Sequence, residues 1–262
     1  MLDNAQYQHF QTFGLITLRQ FFSPDEVSTL RAEFEKGLDL AYEHRPFDGS
    51  ERHWTSQMGP DTPFYANLLE DQRLWSITAQ LYGEEAFAVG TDANRYVGDT
   101  RWHPDHRADP SEDCYGIKFA FYLDPVDAET GALRVVPGSH KQPLHDEIRA
   151  YITGRELEKI PAYVCTSEPG DLVAFDLRCW HASFGGTEGR RMSTCVYYKN
   201  PETPVEEEAA RKRAEGSRKA PAQYKRPGDS LFHPHWVSNP QQHPLRQRWI
   251  RRLQELGFVD AA

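Results

Sequence analysis

The stretch Trp102-His103-Pro104-Asp105-His106 decides how the rest of this 262-residue chain is read. In an extended strand, side chains two apart share a face. His103 and Asp105 therefore converge on one point, while Trp102 and His106 face away. An imidazole nitrogen beside a carboxylate oxygen makes two thirds of the 2-His-1-carboxylate face that holds non-haem Fe(II) with open positions. Taken alone, the pair reads more simply as an exposed His/Asp couple beside a proline turn. A metal site there needs a second histidine downstream.

Around this stretch the pattern is one of short strands punctuated by Gly and Pro: residues 86–89, 92–96, 115–123, 132–136, 163–166, 171–176 and 191–198. Upstream, residues 14–18 read as a short strand. Ser23-Pro24-Asp25-Glu26 is a capping box with Pro at the first helical position. Val27, Leu30, Phe34 and Leu38 follow at helical spacing, which predicts a helix to about residue 43. Residues 67–81 predict a second helix. Residues 45–63, rich in Pro, Gly and charge, predict a long loop. Residues 141–160 are polar, a helix or a loop excursion. Beyond Pro201, residues 206–213 are charged and helix-prone, 221–229 polar, and 244–256 a closing helix with Leu245, Trp249, Leu253 and Leu256 on one face. Helices followed by many short strands indicate an α+β fold with a β-sandwich or barrel core. The tail lacks core enough for a domain of its own, so residues 1–262 are expected to form one domain.

Composition excludes several classes. The net charge of −9 argues against a nucleic-acid partner. No apolar run approaches membrane-spanning length, and Met1 to Gln6 carries no basic or apolar leader signal, so a soluble cytoplasmic protein is expected. Cys114, Cys165, Cys179 and Cys195 are dispersed, without the CxxC spacing of zinc or redox sites. They are expected to be reduced and buried.

Among eleven histidines, His181 has the best context. Residues 168–171 form a turn, 172–176 a mostly apolar strand, and Trp180-His181 follows before Gly185-Gly186. Arg190-Arg191 then enters the next strand, where a guanidinium is placed to clamp a small dicarboxylate in bidentate fashion.

With these residues the sequence resembles the phytanoyl-CoA dioxygenase-like family of Fe(II)/2-oxoglutarate oxygenases. The likeness runs from Phe13-Gly14-Leu15-Ile16 and Phe21-Phe22-Ser23-Pro24-Asp25-Glu26 through His103-Pro104-Asp105. It continues in Gly131-Ala132-Leu133-Arg134-Val135-Val136-Pro137-Gly138-Ser139-His140-Lys141 and from Pro169-Gly170-Asp171-Leu172 to His181-Ala182-Ser183, covering residues 10 to about 198. The resemblance implies a double-stranded β-helix (jelly roll) with N-terminal helices packed outside and a C-terminal helical segment. It implies Fe(II) on His103, Asp105 and His181, with 2-oxoglutarate as co-substrate, O2 as oxidant and ascorbate as a supporting reductant. By motif position Arg190 is the co-substrate anchor and Arg191 the runner-up, with Ser183 assisting. The segment between His181 and the arginines is shorter than in many members, which leaves the arginine register open. The carboxylate of Asp105 favours hydroxylation, since related halogenases place a small residue there.

Other candidates compete with simpler roles. Asn94 and Arg95 are placed to reach co-substrate or substrate. Lys118 alternates with Phe119 and Phe121, and a solvent-facing lysine is favoured over a pocket cation. His140 reads as a structural turn contact. His233-Pro234-His235, with no nearby carboxylate and a proline-broken backbone, reads as a loop. A cupin-like metalloenzyme without 2-oxoglutarate, a sensor or scaffold, and an oxygenase giving desaturation or cyclisation are the alternatives to a hydroxylase. Arg101, His106, Arg107 and Arg178, with Arg95 and Lys118, suggest a basic mouth for a small anionic or zwitterionic substrate. Residues 45–63 and the segment after Pro201 are expected as lids.

Overall fold

The computed structural model describes residues 1–152, 160–218 and 232–260. Helix α1 (Asn4–Phe13) opens with a capping box in which Asp3 accepts from Gln6 N–H and Gln6 accepts from Asp3 N–H. Its apolar positions lack a clear period, and the Asp-X-X-Gln box was its only sequence signal. Gly14 ends it at φ 76°, where a β-carbon would collide with His140 and Cys179. His140 is thus the turn contact expected of it. Strand β1 (Leu15–Leu18) follows, then α2 (Pro24–Ala41), capped by Ser23 as its sequence predicts.

Two expectations upstream change. The stretch expected as a loop contains strand β2 (His53–Ser56). The single helix expected over 67–81 is two, α3 (Pro63–Leu68) and α4 (Gln72–Tyr82). Asp71 causes the break, because its carboxylate accepts from Arg73 N–H and starts a new N-terminus.

The remaining strands are β3 (Phe87–Arg95), β4 (Gly98–His103), β5 (Gly116–Tyr122), β6 (Leu133–Val135), β7 (Tyr163–Val164), β8 (Leu172–Asp176), β9 (His181–Gly186) and β10 (Arg191–Tyr198). They form two antiparallel sheets, a larger one in the order β1-β8-β5-β10-β3-β2 and a smaller one in the order β4-β9-β6-β7. Between β6 and β7 lies α5 (Leu144–Ile152), the first part of the polar excursion; residues 153–159 fall outside the described residues. After β10 come α6 (Pro204–Arg218), α7 (Pro234–Ser238) and α8 (Pro244–Leu256); the polar stretch 221–229 also lies outside. His233-Pro234-His235 is the start of α7 rather than a loop, His233 Nδ1 accepting from His235 N–H. No described helix is long and apolar enough to cross a membrane.

Strand alternation sorts the side chains. From β5, Ile117, Phe119 and Phe121 join Leu30, Phe34, Leu74 and Tyr197 in the core between the larger sheet and the helices. Trp249, Leu253 and Leu256 of α8 enter the same core, Trp249 lying 5.4 Å from Trp75 between ring centroids. The opposite faces look into the space between the sheets, where Leu133, Val135, Val173 and Phe175 pack. From β9, Ala182 and Phe184 face outward into a third cluster with Trp102, Ile148 and Trp180. His181 and Ser183 of β9 are thereby left to the interior. All four cysteines are free and buried.

Candidate metal centre

His103 and His181 are direct cross-strand partners in the β4–β9 pairing. β4 ends at His103, and Pro104 turns the chain so that Asp105 stands beyond the strand rather than along it. The turn is fixed by its backbone: His106 N–H donates to Leu177 O (3.0 Å), and Arg213 donates to Asp105 O (3.3 Å). Asp105 still faces His103, with Oδ1 3.8 Å from His103 Nε2 and Oδ2 3.8 Å from His181 Nε2. One ligand atom from each of the three lies within 4.8 Å of the others.

The donor set fits a first-row metal ion. His103 Nδ1 is 2.8 Å from Arg101 O and His181 Nδ1 is 2.9 Å from Cys179 O. A carbonyl only accepts, so each Nδ1 carries the proton and each Nε2 presents its lone pair to the centre. Ligand atoms about 2.1 Å from one ion stand at most about 4.2 Å apart. Both measured His–Asp separations fall inside that limit. Burial, resisted by Asp105, lowers the His181 pKa to about 4, so the ring is neutral and ready to ligate. Burial alone would raise the Asp105 carboxyl; Lys118, then His181 and His103, outweigh it and hold the group well below its ordinary value.

Lys118 is therefore a pocket cation and not the solvent-facing residue expected. Its Nζ lies 2.6 Å from Asp105 Oδ2. The polar face of β5 is the inner one, because Lys118, Ala120 and Tyr122 line the cavity while the phenylalanines feed the helix-side core.

Behind Ser183 of the cavity wall, Arg190 is 1% exposed. It donates to Ser183 Oγ (2.9 Å) and to the carbonyls of Tyr96 and Gly98 (both 3.1 Å), and stacks 3.6 Å from the Tyr96 ring centroid. Burial lowers its pKa, and no carboxylate pairs with it among the described residues. Gly131 and Gly186 make the slot; a β-carbon on either would fall within the guanidinium. Arg191 has the opposite environment, bonded to both oxygens of Asp124 (2.6 and 2.8 Å) and to Glu35 (2.9 Å).

The cavity of about 130 Å³ is lined by His103, Asp105, His181, Ser183, Asn94 and Lys118, and also by residues that the sequence did not single out: Arg52, Trp54, Asp92 and Tyr96. Asn94 Oδ1 accepts from Arg52 Nε (2.9 Å). The alternation of Arg52-His53-Trp54-Thr55 was the signal for β2, hidden in a stretch of loop-like composition. A separate cavity of about 320 Å³, between α2 and His233, lies away from the ligands.

Four of the six residues expected at a basic mouth are engaged elsewhere. His106 is buried, its Nδ1 2.7 Å from Cys114 O, and burial lowers its pKa to about 4. Arg178 pairs with Asp176, Arg107 with Glu112, and Arg95 with Glu35.

The family model for phytanoyl-CoA dioxygenase (PhyH) matches residues 10–193. The chain belongs to this family. Within and around the PhyH family, the ectoine dioxygenase of Bordetella bronchiseptica is 28% identical over 156 residues, 54% of this chain and 50% of that protein. The chain thus matches about half the length of that curated relative. Among solved structures, HygX from Streptomyces hygroscopicus, with nickel and 2-oxoglutarate bound, superposes with a TM-score of 0.64 at 19% identity, over 77% of this chain and 88% of that one. SnoK, a non-haem α-ketoglutarate-dependent carbocyclase from nogalamycin biosynthesis, superposes with a TM-score of 0.60 at 20% identity, over 76% and 84%. This PhyH chain therefore shares their fold.

Proposed function

We propose that the chain is an Fe(II)- and 2-oxoglutarate-dependent oxygenase that hydroxylates a C–H bond of a small molecule. One observation carries it: a His-Asp-His set with both Nε2 atoms turned inward, beside a buried guanidinium that has no carboxylate of its own among the described residues. A buried unpaired charge is costly, and a ligand carboxylate relieves that cost. Family membership and the 2-oxoglutarate bound in HygX support the same choice. We also read the two sheets as a double-stranded β-helix and residues 1–262 as one domain, supported by the strand order and by the core that α8 shares.

When bound, Fe(II) with 2-oxoglutarate and O2 supplies the oxidation, yielding succinate, CO2 and an oxidised C–H bond. The protein supplies placement. His103, Asp105 and His181 would hold the ion, and three protein ligands would leave positions for co-substrate and oxygen. Arg190 and Ser183 take the far carboxylate of the co-substrate, and Asn94 borders its path. Tyr122, Leu133, Phe175 and Met192 wall the cavity and keep water out. Residues 45–63 contribute β2 as part of the wall.

The test is succinate release by purified protein under air with Fe(II), 2-oxoglutarate and ascorbate. His181→Ala should abolish both iron stoichiometry and succinate. Iron binding without succinate would favour a cupin-like activity instead. Product mass separates outcomes: gain of one oxygen is hydroxylation, loss of two hydrogens is desaturation or cyclisation.

A further inference from the structure

The β2–β3 wall of the cavity carries two charged residues of opposite sign, neither of them in an ion pair among the described residues. Arg52, just before β2, donates Nε–H to Asn94 Oδ1 and lays its guanidinium 4.1 Å from the Tyr96 ring centroid and 4.8 Å from that of Trp54. Among the described residues no carboxylate pairs with Arg52, in contrast to Arg95, Arg178 and Arg191.

Asp92 lines the same cavity from β3. Its Oδ1 accepts from Thr194 N–H (3.0 Å) and Thr194 Oγ1 (3.1 Å), and its Oδ2 from Trp54 Nε1 (2.9 Å). All three donors are neutral, and no ammonium or guanidinium among the described residues bonds to it. Burial raises its carboxyl pKa above the ordinary value, against the pull of those donors and of Lys118. Lys118 is itself bonded to Asp105.

Trp54 ties the two together, its ring under Arg52 and its Nε1 on Asp92. Asp92 and Asn94, two apart on β3, face the same side about 7 Å from each other. Both poles therefore fall within the span of one small molecule. A dicarboxylate in this place would meet repulsion from Asp92, and a simple amine repulsion from Arg52.

We propose that Arg52, Asn94 and Asp92 form a receptor for a zwitterionic substrate, the guanidinium taking its carboxylate and the Asp92 carboxylate taking its ammonium group. This rests on the oxygenase activity proposed above and names the substrate class. The receptor is distinct from the Arg190–Ser183 pair, which takes the co-substrate.

The probes are free α- and β-amino acids, their N-acetyl derivatives (anion only) and their amides (cation only), assayed by succinate release with Fe(II) and 2-oxoglutarate. Only compounds with both charges should stimulate release above the uncoupled rate. For a stimulating zwitterion, Arg52→Gln and Asp92→Asn should each raise its KM about tenfold or more and leave the co-substrate KM within about twofold. Asp92→Asn should also narrow the preference for the zwitterion over its N-acetyl derivative by about tenfold. The receptor is overturned if single-charge derivatives stimulate as well as their parents, if no zwitterion stimulates, or if Arg52→Gln acts on the co-substrate KM instead. Uncoupled succinate without a zwitterion response overturns the receptor alone; no succinate under any condition overturns the oxygenase activity with it.

Discussion

Lys118 Nζ sits 2.6 Å from Asp105 Oδ2, on the carboxylate that faces both histidines. Two effects of this contact oppose each other. The ammonium steadies the carboxylate, and it also brings a positive charge within a few ångströms of any bound cation. The Asp105 turn is already fixed by the Leu177 and Arg213 backbone contacts, so steadying is redundant and repulsion decides. Lys118→Met should therefore keep one metal per chain and tighten Mn(II) or Fe(II) binding by about tenfold, well inside the Coulomb limit for such a pair. Titration followed by calorimetry checks this; a tenfold weakening would make Lys118 chiefly an orienting group.

Arg190 and Arg191 should part company on mutation. Arg190→Met keeps the volume of the slot but removes a charge-assisted bond worth about 1.5–3 kcal/mol, which raises the co-substrate KM at least about tenfold. Arg191→Ala breaks a largely buried ion-pair network with Asp124 and Glu35, lowering stability while leaving the co-substrate KM nearly unchanged. The reverse ranking in steady-state kinetics would move the anchor by one residue.

The glycine slot offers an independent check. In Gly186→Ala the added methyl would occupy the place of the Arg190 guanidinium, so the arginine must shift away from Ser183. The variant should bind metal with wild-type stoichiometry while its co-substrate KM rises about tenfold. Unaltered co-substrate kinetics would place the carboxylate elsewhere.

Acid stability should depend on His140. Burial lowers its pKa below the ordinary value of 6.5, so the folded state binds fewer protons there than the unfolded chain. Its contribution is fully present above about pH 6.5 and is lost as pH falls through that value toward the lowered one. His140→Gln should flatten the fall of Tm with acidification below about pH 6.5. An unchanged slope by differential scanning calorimetry would exclude His140 as a source of acid lability.

Where side-chain periodicity was strong, the sequence was legible. Ser23-Pro24-Asp25-Glu26 announced α2, the apolar run at 172–176 announced β8, and the strand-turn context of His181 brought it beside the His103 pair. The failures have more than one cause, the first being which way a face turned once the sheets had assembled. Lys118 was correctly set opposite Phe119 and Phe121, but nothing local says which face of β5 is the interior. Arg95 looked like a free cation until folding brought Glu35 to it, whereas Arg178 meets Asp176 two residues away and His106 the Cys114 carbonyl eight away, through local turns. Arg52 and Trp54 were lost because β2 is a short edge strand embedded in residues of loop composition. Asp92 was passed over because its hydrogen-bond partners Trp54 and Thr194 come from strands remote in sequence.

The cross-strand pairing of His103 with His181 has a consequence for the order of events as the chain folds. These two ligands come from strands distant in sequence, and neither strand alone offers more than a weak, partial coordination sphere. High-affinity capture of an ion by this pair would have to wait until the β4–β9 ladder has closed in register, a long-range step and hence a slow one. A metal held by these residues would bind late and lower the free energy of a chain already committed to its topology. Excess metal should slow unfolding and leave the refolding rate nearly untouched.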